Sequence, residues 1–119
     1  MKVAITSTGQ DLNSQVDPRF GRAKYLLVVD LETDELVVYD NAQNADTVQG
    51  AGIQAGRAVV DLGASALLTG HVGPKAFATL DAADVVVYTG ASGTVAEALT
   101  KLKTGELTST EKANVEGHW

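Results

Sequence analysis

The apolar residues of this chain change their period partway along, and that change restricts the fold more than any other feature. Val3 and Ile5 alternate with smaller or polar residues before the breaker run Ser7 to Asp11. Tyr25-Leu26-Leu27-Val28-Val29 and Leu36-Val37-Val38-Tyr39 are continuous apolar runs separated by a polar stretch, which predicts two hairpin strands. Beyond Asn41 to Asn44 the spacing becomes helical. Ala55, Ala58, Val59 and Leu62 fall at i, i+3, i+4 and i+7, with Gln54, Arg57 and Asp61 opposite and Gly63 as a stop. A strand follows at Ala66-Leu67-Leu68, then a helix opened by Pro74 that carries Ala76, Phe77 and Leu80. Next comes a strand at Val85 to Tyr88. The last helix carries Val95, Ala98, Leu99 and Leu102, with Thr94 and Glu97 at capping-box spacing and Gly105 at its end. The order β-β-β-α-β-α-β-α predicts an α/β domain whose mixed, five-stranded sheet opens antiparallel and continues through right-handed crossovers. Its 119 residues suffice for one core. Residues 1–105 read as the domain, and 106–119 as a polar, aperiodic and loosely held tail.

Fifteen acidic against nine basic side chains give a net charge of −6, a field that repels nucleic acid and anionic lipid. There is no cysteine, which excludes disulfides, thiolate metal ligands and cysteine nucleophiles. No signal-peptide core or membrane-length apolar run is present, so a cytoplasmic protein with no membrane partner is expected. Asp17, Asp30, Asp40 and Asp84 sit at element ends, where solvated caps and turns account for them, and no spacing makes a catalytic triad. A two-metal nuclease conflicts with the charge. A nucleotide binder lacks both the Walker lysine pattern and a G-x-G-x-x-G run after a strand. Catalysis is therefore not expected.

In alternating sheets, ligands collect at the carboxyl ends of strands, beside helix N-termini with free N–H groups. Two loops occupy such places: Thr69-Gly70-His71-Val72-Gly73-Pro74 and Thr89-Gly90-Ala91-Ser92-Gly93. Together they could form a two-sided cradle of amides for an anion; alternatively, their glycines only permit tight turns. Asp17-Pro18-Arg19-Phe20-Gly21-Arg22-Ala23-Lys24 gathers three of the nine basic residues, as an anion-attracting segment or as a solvated turn with Phe20 tucked inward. His71 is the better candidate metal ligand and His118 the weaker, although one histidine does not make a metal site.

Val16 to Ala23, Asn41 to Asn44 with Gly50-Ala51-Gly52, and Thr69 to Phe77 together resemble the dinitrogenase iron–molybdenum cofactor biosynthesis family, small domains akin to NifX and the C-terminal part of NifB. The likeness runs through nearly the whole chain in order. It implies a ribonuclease H-like fold and a non-enzymatic binder or carrier of a molybdenum-containing metal–sulfur cluster. One variant of the family holds a molybdenum–copper sulfide without covalent ligation. Many members have histidine before the Phe-Gly pair, where this chain has Arg19; a fork of charged donors there suits the sulfides of an anionic cluster. The resemblance thus implies a site of Arg19, Phe20, Gly21 and Arg22 and of Gly70, His71, Val72 and Gly73, to which the cradle reading of the second loop adds Gly90, Ser92 and Gly93. Phe20, Val72 and Phe77 would be its apolar walls and His71 its one metal ligand. The alternative is a regulatory module of the same fold without a cluster, docking a protein partner through the tail ending Gly117-His118-Trp119.

Overall fold

The computed structural model describes residues 1–42 and 50–110. Five strands, β1 (Lys2–Ser7), β2 (Tyr25–Asp30), β3 (Leu36–Asp40), β4 (Ala66–Leu68) and β5 (Val86–Tyr88), form one sheet in the order β3-β2-β1-β4-β5. Strands β1, β2 and β3 are antiparallel neighbours, while β4 joins β1 and β5 joins β4 in parallel. Among the described residues the helices are α1 (Ala51–Asp61), α2 (Pro74–Ala82) and α3 (Val95–Lys103). The mixed sheet and the order of elements are those the apolar periods predict.

The continuous apolar runs are explained by two-sided burial of the middle strands. Ala4, Leu26, Val28, Leu67 and Val87 face one way, under Ala55, Ala58 and Val59 of α1 and Ala76 and Leu80 of α2. Val3, Ile5, Leu27, Val29, Ala66 and Leu68 face the other way, under Val95, Ala98 and Leu99 of α3. Two helices thus cover one face and one helix covers the opposite face. Each large side chain so enclosed contributes about 1.5–3 kcal/mol relative to exposure. Strand β3 lies at an edge, and its run is only half used. Val37 and Val38 remain 41% and 39% exposed on opposite faces.

The other edge is covered. Ser109 bridges Tyr88, the Thr110 amide donates to the Val87 carbonyl at 2.7 Å, and the Thr89 and Thr110 hydroxyls lie 2.6 Å apart. Leu107 packs beneath α3 with Leu102. Contacts therefore continue past Gly105 to Thr110. Residues 43–49 and 111–119, which include Asn44, His118 and Trp119, lie outside the described residues.

The capping box at α3 forms as its spacing predicts. Thr94 Oγ1 accepts from the Glu97 amide at 3.1 Å, and Glu97 Oε1 accepts from the Thr94 amide at 3.0 Å. The Thr94 backbone bond is the main cause holding the Glu97 carboxyl below its ordinary pKa. A depressed carboxylate pKa contributes stability that is present above the unfolded-state value and lost as pH falls through the folded one. The melting temperature of the wild type is therefore expected to fall more steeply between about pH 5 and pH 3 than that of Glu97→Gln, which keeps an acceptor but does not titrate. Parallel slopes from thermal melts across that range would remove the charge from the account of this cap.

Candidate functional site

The carboxyl ends of β1, β4 and β5 lie together because these strands are parallel neighbours, and the candidate loops leave from them. The segment after Val16 crosses this end of the sheet. Ser7 bridges Val16, the Asp17 amide donates to the Thr6 carbonyl at 2.9 Å, and the Asp17 carbonyl lies 2.6 Å from Thr6 Oγ1. Thr6 Oγ1 is also 2.8 Å from Thr69 Oγ1. A hydroxyl has one proton, so Thr6 gives its own to the Asp17 carbonyl and accepts the one from Thr69. All three residues are buried. This chain of hydroxyls fixes the crossing segment to β1 and to the start of the β4 loop.

Arg19 and His71, 52 positions apart in the chain, are then brought into register as a parallel bridge. The His71 amide donates to the Pro18 carbonyl at 2.7 Å and the Phe20 amide donates to the His71 carbonyl at 3.1 Å. Gly70 is required for this approach: a Cβ there would stand 2.6 Å from Pro18 Cα and 2.7 Å from its carbonyl oxygen. Gly21, at φ +96°, is required on the other side, where a Cβ would stand 2.9 Å from Gly52 Cα in the first turn of α1. The Arg19 to Arg22 loop therefore lies against the N-terminal end of α1, and α2 begins three residues after His71. The N-cap residue of each helix is a glycine, Gly50 and Gly73, which offers no capping side chain, unlike Thr94 at α3. Both bring the positive end of their dipole to the corner that holds Arg19, Arg22, His71 and Lys75.

The two glycine loops do meet, but in a different relation from an open cradle of amides. The Gly90 amide donates to the Gly70 carbonyl at 3.0 Å, and the Ala91 amide donates to the Thr69 carbonyl at 3.1 Å. The Gly90 loop thus uses two donors on the Gly70 loop, while the His71 and Phe20 amides are used in the bridge between the Gly70 loop and the Pro18 to Phe20 segment. Gly90, at φ +76°, has open space around it; Gly93, at φ +79°, backs onto the Glu97 side chain, and Ser92 is exposed. Gly73 is the buried N-cap of α2, in extended conformation.

Side-chain burial separates the candidates further. Phe20 and Val72 are fully buried in the core beneath α1 and α2, and Phe77 is partly buried against it. Phe20 and Val72 support the corner from below, so of the three expected apolar walls only Phe77 has surface to offer. Arg19 and His71 are exposed, and Arg22 is half-buried. Arg19, Arg22, Gly70, His71 and Val72 all have further interactions within the chain. No group of three or more His, Asp or Glu side chains able to hold a metal ion gathers among the described residues.

Asp17 corrects the reading of it as a solvated cap. It is 6% exposed, its Oδ1 accepts from the Arg19 amide at 3.0 Å, and the same oxygen lies 3.7 Å from Arg19 Nε. The Asp-x-Arg spacing of an Asx turn is the signal that could have found it.

Residues 1–105 match the family described as dinitrogenase iron-molybdenum cofactor. Among solved structures, the apo form of the orange protein from Desulfovibrio gigas superposes with a TM-score of 0.93 at 38% identity, over 96% of both chains. The NMR structure of a NifB-type protein from Thermotoga does so at 0.84 and 39% identity, over 98% of both chains. An uncharacterized protein of Methanocaldococcus jannaschii is 23% identical over 111 residues, 90% of this chain and 89% of that one. No helix among the described residues is long and apolar enough to cross a membrane.

Proposed function

Because this chain belongs to the dinitrogenase iron-molybdenum cofactor family, we propose that it binds and carries an anionic molybdenum-containing metal–sulfur cluster, held by charge and hydrogen bonds rather than by cysteine, and catalyses no reaction. One observation carries the reading: the backbone bridge that sets the exposed Arg19 and His71 side by side near the N-termini of α1 and α2, whose N-cap residues are glycines. In a protein of net charge −6 this corner concentrates positive potential. A cluster that arrives preassembled, with its metals saturated by sulfide, needs outward-facing donors rather than thiolates. The donor set suits such a cargo: guanidinium groups at Arg19 and Arg22, an imidazole at His71, and the edge of Phe77. The similarity to a protein solved in an apo form supports a cargo that leaves. A molybdenum–copper sulfide is the cluster this reading favours.

The test is a visible-absorption titration of the metal-free protein with tetrathiomolybdate, with and without copper, followed by desalting. Charge-transfer bands should persist at a fixed metal-to-protein ratio. Arg19→Ala and His71→Ala should each weaken retention by roughly ten- to a hundredfold, the range for a lost charge-assisted hydrogen bond. Metals that wash off the wild type, or variants that retain them equally, would overturn the assignment.

A further inference from the structure

We infer that the outer edge of β3 is a docking edge for an extended, basic segment of a partner protein, which adds to the sheet as a further strand. The two edges of the sheet are treated differently. Beside β5, Ser109 bridges Tyr88 and the Thr110 amide bonds the Val87 carbonyl. Beside β3, the one strand neighbour among the described residues is β2. The ladder between them shows which groups this leaves. The Asn41 amide donates to the Lys24 carbonyl and the Asp30 amide to the Glu35 carbonyl, each at 2.9 Å. Bonded and non-bonded pairs alternate in an antiparallel ladder, so Val37 and Tyr39 also turn their backbone groups to β2, while Leu36, Val38 and Asp40 turn theirs outward. Amides and carbonyls on alternate residues are the template on which an extended segment pairs.

Side chains and charge decide what kind of segment fits. Val37 and Val38 are exposed on opposite faces, so apolar surface flanks the template on both sides. Edges kept unpaired carry proline, lysine, an inward charge or a bulge; Leu36 to Tyr39 has none of these and keeps unbroken register with β2. Its charges stand at the ends instead, Asp34 and Glu35 before the strand and Asp40 at its close. From Tyr25 to Gly56 the sequence holds no Lys or Arg at all. Two copies paired through β3 would bring two such acidic hairpins together, which like charge opposes. A partner strand with lysine or arginine at its ends and β-branched residues between them meets the same edge with opposite charge. Because β1 and β3 are both antiparallel to β2, β3 finishes at the same end of the sheet as Ser7. A strand added there is held beside the end that bears the Arg19 and His71 corner, whatever that corner carries.

The probe is a synthetic peptide of alternating valine and threonine bracketed by lysines, added to the full-length protein and followed by calorimetry and amide exchange in NMR spectra. In the free protein the Leu36, Val38 and Asp40 amides should exchange faster than those of Val37 and Tyr39, and bound peptide should slow those three. Two altered peptides separate strand pairing from charge attraction. N-methylation of the residues that face β3 should weaken binding by roughly two- to tenfold per backbone bond removed, and glutamine in place of lysine by roughly two- to fivefold per exposed ion pair. Val38→Pro removes an outward donor that β2 does not use, so it should weaken binding while the fold persists. Glu35→Lys, at an exposed side chain, guards against a folding defect in that variant: it should weaken the lysine peptide and strengthen a glutamate-bracketed one. Unchanged exchange at the three amides, equal binding of the methylated peptide, or indifference to Glu35→Lys would overturn the inference. So would a protein that sediments as a dimer with those amides already slow, since a second copy would then occupy the edge.

Discussion

Phe20→Ala is expected to lose about 3–5 kcal/mol of folding stability, measured as a shift in the midpoint of urea unfolding. Phe20 is fully buried and, among the described residues, the largest side chain so enclosed, in contact with the core under α1 and α2. Removing it leaves a cavity that the surroundings refill only in part, because they are pinned: the Phe20 amide is bonded to the His71 carbonyl and Gly21 is pressed against the backbone of α1. A domain of this size has about 5–15 kcal/mol in total, so the variant should stand near its unfolding threshold at ambient temperature. A loss under about 1 kcal/mol would show that Phe20 does not anchor the loop.

Gly70→Ala is the second large effect, and it acts by crowding. The added methyl meets the Pro18 backbone at 2.6–2.7 Å, and backbone held on both sides cannot swing aside as a long side chain could. Overpacking of this kind costs about 1–3 kcal/mol or more. Its consequence reaches the site, because relief requires Pro18 to withdraw from the His71 amide and so parts Arg19 from His71. Faster hydrogen exchange at the His71 amide, beyond the change in global stability, is the expected signature. Gly90→Ala is the control: nothing lies within 4 Å of the added methyl and only the left-handed backbone at φ +76° opposes it, for about 1–2 kcal/mol. Equal His71 exchange in the two variants would refute the crowding account.

Much of this architecture is visible in local spacing, because strand and helix periods and capping chemistry act within a few residues. Ala55, Ala58 and Val59 are buried as their period requires, and Thr94 and Glu97 close their box. What local spacing does not carry is pairing across the chain. Amides in the Gly70 and Gly90 loops look free in a linear reading, yet those of Gly90 and Ala91 donate to the Gly70 and Thr69 carbonyls and that of His71 to the Pro18 carbonyl, relations that follow the parallel pairing of β4 with β5 and the crossing of the Pro18 segment. The meeting of Arg19 and His71 depends in the same way on Gly70 and on a hydroxyl chain that begins at Thr6. Phe20 could be read as inward or as a wall of the site, and burial decides for the first. The run through Val37 and Val38 forms the hairpin strand its spacing predicts, but its apolar content does not show that β3 ends the sheet with both side chains partly exposed. The tail is legible only as polar. The single apolar residue that ties its first part down, Leu107, has no neighbour in the sequence to make a pattern with.

The hydroxyl chain and the joined loops also bear on the tempo of exchange expected of a carrier. Among the described residues the segments at this corner are tied to one another through their backbones, so an anionic cargo of the kind proposed would enter and leave by the turning of exposed side chains, on the picosecond-to-nanosecond scale of surface rotamers. Uptake should then be governed by collision and by the local field. Its rate constant would fall steeply as ionic strength rises, while departure would depend only weakly on salt.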